Sequence, residues 1–131
     1  MDNKFHVSLE AARLLKEKGY NNYSIVYDCS VEGDILLNQR PIYGEWAGDK
    51  DVYPCPTKAE AIDWLESKGV VVELSYDDKG NLDKALWEYF VYTHDKNRWV
   101  DVVVCSWEEY NYYKTRLEAE EAAIIKALEL L

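Results

Sequence analysis

Hydrophobic and polar positions over residues 57–77 predict a helix followed at once by a strand. Thr57 and Glu60 form a capping box, because the threonine hydroxyl can accept from the N–H three residues on while the glutamate reaches back to the N–H of Thr57. Gly69 ends the helix, since the left-handed conformation after a helix suits glycine. The apolar run 70–76 then predicts a buried strand. The apolar helix face consists of Ala61, Ile62 and Leu65.

Two more helices have the same kind of boundary. Ser8 caps an amphipathic helix that runs to Lys18 and stops at Gly19. Thr115 and Glu118 form a second capping box at the start of a C-terminal helix. The predicted buried stripe of that last helix is Leu117, Ile124, Leu128 and Leu131.

Strands are indicated by alternation and by dense β-branched and aromatic residues. They fall at residues 23–28, 35–38, 86–93 and 98–105. Short polar links predict two hairpins, one over 23–38 and one over 86–105. The chain is therefore predicted to be one α+β domain spanning residues 1–131. We expect an antiparallel or mixed sheet of about five strands, with three helices packed largely on one face.

Residues 39–56 form the least regular stretch, with two glycines, three prolines and three aromatic residues. This composition predicts an ordered surface loop, and long ordered loops in compact domains often carry function. An equally simple interpretation is that its aromatic side chains pin the loop to the sheet.

Composition points to contact-making surfaces, because the chain has 11 Tyr and 5 Trp but only 2 Phe. Tyr and Trp combine a large apolar body with a polar group, so they suit half-buried surfaces and interfaces. Strand-rich domains also use tyrosine heavily. The predicted interaction residues are Tyr43, Trp46, Tyr53, Trp107, Tyr110, Tyr112 and Tyr113.

The formal net charge is −10, from 25 acidic and 15 basic residues spread along the chain. Spread charge favours solubility. Direct nucleic-acid binding is not expected, because it requires clustered Lys and Arg to displace phosphate counterions.

Cys29, Cys55 and Cys105 are widely spaced and form no CxxC pair, so we expect reduced, mostly buried thiols. The chain has no signal-peptide pattern and no apolar run of about 18 residues. A cytoplasmic location without membrane association is the resulting expectation.

Catalytic chemistry has few candidates. His6 and His94 are the only histidines, and the phosphate-loop, GxSxG and HExxH motifs are missing. We therefore expect no enzyme activity, catalytic residue, cofactor or metal site.

Two segments carry a resemblance. Residues 53–69 (YPCPTKAEAIDWLESKG) and 113–130 (YKTRLEAEEAAIIKALEL) resemble a group of small uncharacterised proteins encoded by phages and prophages, notably of gut Bacteroides-type bacteria. The order of predicted elements is similar over nearly the whole chain. The resemblance implies an accessory protein of a phage or mobile element. It assigns no functional residue, because no activity is established for the group.

The function favoured by these patterns is non-enzymatic and acts through contacts with an unknown protein or with a second copy of the chain. One alternative is an acidic nucleic-acid mimic that inhibits a host DNA- or RNA-binding protein. Mimicry requires carboxylates arrayed on one face at roughly the phosphate spacing. A small enzyme with an unrecognised site is the other alternative.

Overall fold

The computed structural model describes residues 4–29, 35–37, 51–77, 86–93, 101–105 and 112–131. These residues form an α+β fold with three helices and two small antiparallel sheets. In chain order the elements are α1 (Leu9–Glu17), β1 (Val26–Asp28), β2 (Ile35–Leu37), β3 (Val52–Pro54), α2 (Lys58–Ser67), β4 (Val70–Asp77), β5 (Leu86–Thr93), β6 (Asp101–Cys105) and α3 (Arg116–Glu129).

The chain divides into two compact units, Met1–Ala61 and Ile62–Leu131, and the division falls within α2. The first unit contains the sheet β2-β1-β3, and the second contains the sheet β4-β5-β6. All four strand pairings are antiparallel. None of the helices formed by the described residues is long and apolar enough to cross a membrane.

The α+β class and the three helices are confirmed, but a single sheet of about five strands is not. The described strands pair only within their own three-stranded sheet. In the second sheet β5 lies between the strands that precede and follow it in the chain, so this sheet needs no crossover. In the first sheet β1 lies between β2 and β3, so the connection from β2 to β3 crosses β1. The helices divide accordingly, since α1 packs on β3 whereas α3 packs on β4 and β5. The prediction of one domain over residues 1–131 stays a prediction.

Strand β3 lies inside the stretch predicted to be a loop. Residues 38–50 are outside the described part, but Val52–Pro54 pairs with β1 and places Tyr53 opposite Tyr27. Pro54 is tolerated because it is the last residue of a strand at the sheet edge, where a missing N–H matters least. The loop interpretation is therefore wrong for residues 52–54.

The core of the first unit forms between α1 and its sheet. Ser8 caps α1 by accepting from the N–H of Ala11 at 3.2 Å, and Gly19 follows the helix with a φ of 94°. Both helix boundaries match the prediction. The buried residues here include Val7, Ala11, Ala12, Leu15, Tyr23, Val26, Tyr27 and Val52.

Residues 4–7 form an extended segment, here called the N-terminal strap, that runs antiparallel to residues 56–58. His6 pairs with Thr57 as an isolated bridge. The N–H of Val7 donates to the carbonyl of Pro56 at 3.1 Å, and the N–H of Lys58 donates to that of Phe5 at 2.7 Å. The strap is therefore attached beside the start of α2 by one isolated antiparallel bridge and its flanking backbone bonds.

A buried lysine fixes the N-terminal strap. Lys58 is only 7% exposed. Its ammonium donates to the carbonyl oxygens of Lys4 and, at 2.9 Å, of His6. A buried ammonium needs such acceptors, because losing water without replacement hydrogen bonds is costly. The charge of Lys58 is thus placed where the strap supplies backbone oxygens.

In the second unit, β4 and β5 pair over their full length, from Val70 opposite Thr93 to Asp77 opposite Leu86. The positions of both strands and the antiparallel pairing of β5 with β6 match the prediction. The prediction of a buried β4 is wrong beyond Val70, because β4 is an edge strand on which Glu73 and Tyr76 are exposed. The predicted start of the last strand, at residues 98–100, lies outside the described residues.

Helix α3 buries a stripe rich in alanine. Ile124 and Leu128 are fully buried, as predicted, together with Ala119, Ala123 and Ala127. Leu117 is half-buried, and Leu131 is 37% exposed, so the prediction of a buried Leu131 is wrong. The physical reason is that α3 ends at Glu129, which takes Leu131 off the helical stripe.

The two capping boxes differ in completeness. At α2, Glu60 N–H donates to the Thr57 hydroxyl oxygen at 3.1 Å, and the Glu60 carboxylate accepts from the N–H and hydroxyl of Thr57 at 3.1 and 2.9 Å. At α3, Glu118 N–H donates to the Thr115 hydroxyl at 3.1 Å. The described residues show no returning bond from the Glu118 carboxylate.

We expect Lys58→Met to lower the free energy of unfolding by about 2 kcal/mol, because the strap loses a charged hydrogen-bond donor. Urea unfolding at neutral pH measures this loss. Lys114→Met is the matched control, since Lys114 is exposed and its replacement should change stability by less than about 0.5 kcal/mol. Equal stability of the two variants would contradict the anchoring role.

The difference between the caps gives a second prediction. Glu60→Ala should cost about 1 kcal/mol more than Glu118→Ala, because both lose a charge at a helix N-terminus but only Glu60 also loses its bonds to Thr57. Thermal or urea unfolding of the two variants measures the difference. If both substitutions cost the same, the returning carboxylate bond contributes nothing.

Candidate functional site

Of the seven predicted interaction residues, the structure describes three, and they lie in different places. Tyr53 is on β3 of the first unit, whereas Tyr112 and Tyr113 precede α3 in the second. The other four lie outside the described residues: Tyr43, Trp46, Trp107 and Tyr110.

Tyr53 is half-buried beneath cations of α1. The Arg13 guanidinium lies 5.5 Å from the centre of its ring, and the Lys16 ammonium lies 5.0 Å from it. Lys16 also donates to the carbonyl of Val52 at 2.8 Å. These contacts join α1 to the sheet edge through cation–π attraction and a hydrogen bond. Tyr53 therefore contributes to packing within the first unit, but as part of the sheet that α1 covers and not as a loop residue pinned to the sheet.

Tyr113 is joined to β5 by its backbone. Its carbonyl accepts from the N–H of Trp87 at 2.7 Å, and its N–H donates to the carbonyl of Trp87 at 2.9 Å. Its ring centre lies 6.1 Å from that of Tyr89, which is buried. These two reciprocal hydrogen bonds place the segment before α3 alongside the start of β5. Tyr112 is half-buried beside it.

The same pairing brings Tyr76 and Trp87 together. In an antiparallel sheet both backbone groups of one residue point to the same neighbouring strand. Those of Trp87 point to Tyr113, so on the β4 side Trp87 faces Tyr76 as a non-hydrogen-bonded pair, in which side chains approach most closely. Their ring centres are 5.1 Å apart and tilted by 55°.

Arg116, the first residue of α3, completes this group. Its guanidinium lies over the Trp87 ring at 5.8 Å, and its Nε donates to Glu120 Oε1 at 2.8 Å. The arginine side chain is 63% exposed, whereas that of Glu120 is 13% exposed. Tyr76 is 51% exposed. We call Tyr76, Trp87, Tyr113 and Arg116 the aromatic patch.

Three members of the aromatic patch were missed by the sequence analysis. Tyr76 and Trp87 lie on strands that were predicted, and Arg116 begins a predicted helix. The register of the β4–β5 pair could have indicated two of them. Strands of equal length at 70–77 and 86–93, paired end to end, place Tyr76 opposite Trp87. Of the patch residues, only Tyr113 was a predicted candidate.

Residues with chemical reactivity are concentrated near the N-terminal strap. Both ring nitrogens of His6 are buried without a hydrogen-bond partner in the described part of the chain. The buried Cys55 thiol donates to the carbonyl of Val7 at 3.6 Å, and Tyr27 donates its hydroxyl proton to the same oxygen at 2.7 Å. Cys29 and Cys55 are reduced, as expected, and Cys55 is buried whereas Cys29 is half-buried. His94 and the side chain of Cys105 lie outside the described part.

No three of the described His, Cys, Asp and Glu residues are close enough to hold a metal ion. The described residues do bring together an aromatic and arginine-containing surface, which is the composition of protein contact sites.

The ionisation of Tyr20 is perturbed by its surroundings. Burial raises its pKa to about 12, and negative charge on Glu60 and Cys55 adds to the effect. Burial also raises the pKa of Tyr23. Burial and nearby negative charge both disfavour the phenolate form of Tyr20, so Tyr20 stays a neutral hydroxyl near neutral pH.

Comparison of the chain with models of protein families, with curated proteins and with solved structures finds no match.

The raised pKa of Tyr20 predicts a loss of stability at high pH. Below pH 10 the residue is protonated in both folded and unfolded chains. Between pH 10 and about 12 the unfolded chain loses this proton first, so the free energy of unfolding falls as pH rises.

Urea unfolding at pH 8, 10 and 11 tests this. The wild-type protein should lose more stability over this range than Tyr20→Phe, with a difference in slope approaching about 1.4 kcal/mol per pH unit above pH 10. The pH 8 values supply the baseline cost of removing the hydroxyl. Parallel curves for the two proteins would contradict the assignment.

Proposed function

We propose that this protein is a non-enzymatic protein-binding module that engages its partner through the aromatic patch. The observation that carries the proposal is the half-exposed Tyr76, whose ring packs at a tilt against Trp87 beside the exposed Arg116. Trp, Tyr and Arg are the residues whose truncation most often weakens protein complexes. The resemblance to phage-encoded proteins supports an accessory role in a phage or mobile element, within the cytoplasm.

The patch is also held in one geometry before binding. Trp87 is fixed by backbone bonds to Tyr113 on one side and by β4 on the other. Glu120 orients Arg116. Side chains that are already ordered lose less conformational entropy on association, which favours a contact role for them.

Charge placement on α3 supports protein binding over nucleic-acid mimicry. Glu120 is mostly covered and is bonded to Arg116, so its carboxylate is not presented to a basic groove. The same helix also carries the cations Arg116, before its acidic residues, and Lys126, between Glu121 and Glu129. Mimicry nevertheless remains a distinct outcome of the experiment below, because high salt weakens exposed charge contacts more than apolar ones.

A pull-down with the tagged full chain tests the proposal, using lysate of gut Bacteroides-type bacteria and washes at low and high salt. We expect a partner that stays bound through the high-salt wash. The amount recovered should fall at least about tenfold with Tyr76→Ala, since hot-spot truncations cost about 2 kcal/mol or more. Sedimentation of the chain alone, with and without the same substitution, detects a second copy as that partner.

Phe5→Ala is the matched control. Phe5 is 54% exposed, close to Tyr76 at 51%, but lies on the N-terminal strap of the first unit. Its substitution should leave binding unchanged. A nucleic-acid-binding protein released by high salt would instead favour mimicry. Equal binding by the wild type and Tyr76→Ala would refute the aromatic patch as the contact.

A further inference from the structure

The aromatic patch contains an arginine with unused hydrogen-bond donors. Arg116 donates from Nε to Glu120, and its guanidinium lies over the Trp87 ring. Among the described residues its two terminal amino groups have no acceptor. A guanidinium presents these outer N–H groups in a planar fork that matches the two oxygens of a carboxylate.

We propose, on the basis of the protein-binding function above, that Arg116 receives an Asp or Glu side chain of the partner. The partner places an apolar side chain next to this carboxylate, where it covers the exposed ring of Tyr76. Trp87 and Glu120 act as positioning residues, since they hold the guanidinium by its face and by Nε and leave the outer donors available.

The presence of Glu120 is consistent with this role. Its carboxylate bonds to Nε of Arg116, so it restrains the side chain without occupying the terminal amino groups. A restrained arginine loses less rotamer freedom when it binds than a mobile lysine does. Since Glu120 is only 13% exposed, its own charge is largely covered by the protein.

The net negative charge of the chain favours a carboxylate over a phosphate as the group that binds Arg116. The guanidinium fork also fits a phosphate, but a phosphorylated side chain carries almost two negative charges. The chain already has a net charge of −10, so a singly charged carboxylate meets less repulsion from the rest of the protein. The proposal therefore commits to a carboxylate.

A random peptide library displayed on phage and panned on the immobilised full chain tests this inference. We expect enriched peptides with Asp or Glu beside an apolar or aromatic residue. These peptides should bind Arg116→Gln at least about tenfold more weakly than the wild type, with only partial recovery in Arg116→Lys, which keeps the charge but lacks the fork. Circular dichroism and thermal unfolding confirm that each variant is folded.

Arg13→Gln is the matched control, because Arg13 is also exposed and also lies over an aromatic ring, that of Tyr53. It should bind the enriched peptides as the wild type does. Replacing the acidic residue of an enriched peptide by phosphoserine should weaken binding. Tighter binding would overturn the choice of carboxylate.

The remaining outcomes separate the two proposals. Peptides that are lost with Tyr76→Ala but lack an acidic residue, or bind Arg116→Gln normally, overturn the carboxylate inference and leave the protein-binding function standing. Enriched peptides that are insensitive to both Tyr76→Ala and Arg116→Gln, or no enrichment at all, overturn both.

Discussion

The candidate site depends on how Trp87 is hydrogen-bonded within its sheet. Its backbone groups point along the sheet to Tyr113 and not to β4. Its N–H and C=O both bond to Tyr113, so the strand must present Trp87 to β4 as a non-hydrogen-bonded neighbour of Tyr76. The close ring contact follows from that alternation. Arg116 reaches the same ring because α3 begins three residues after Tyr113. One hydrogen-bonded pair thus determines which side chains form the surface.

The first unit meets a different constraint, since it has a buried lysine between the N-terminal strap and α2. Lys58 lies along the N-terminal strap and delivers its ammonium to two carbonyl oxygens. These two bonds join the strap to the first turn of α2 at a defined pair of residues.

Features set by neighbouring residues were predictable from the sequence, and features set by pairing across the chain were not. The start of α2 at Thr57, the stop at Gly69 and the long strand β4 follow from local capping, backbone freedom and hydrophobic pattern. The division into two sheets does not, because β-branched and aromatic runs do not encode which strands pair. For the same reason Tyr53 looked like an exposed contact residue but lies under α1 cations. The site itself was predictable only as a residue class: aromatic contacts were expected, but Tyr76 and Trp87 become a pair only through register.

The buried thiol of Cys55 makes the motion of the N-terminal strap observable by chemical labelling. Cys55 is fully buried and donates to the carbonyl of Val7, whereas Cys29 is partly exposed. A thiolate reacts only when it is accessible. Alkylation of Cys55 in the native protein therefore requires the strap to open, and its rate reports the free energy of that local opening. Cys29 in the same chain supplies the reference for a thiol that the reagent reaches without such opening.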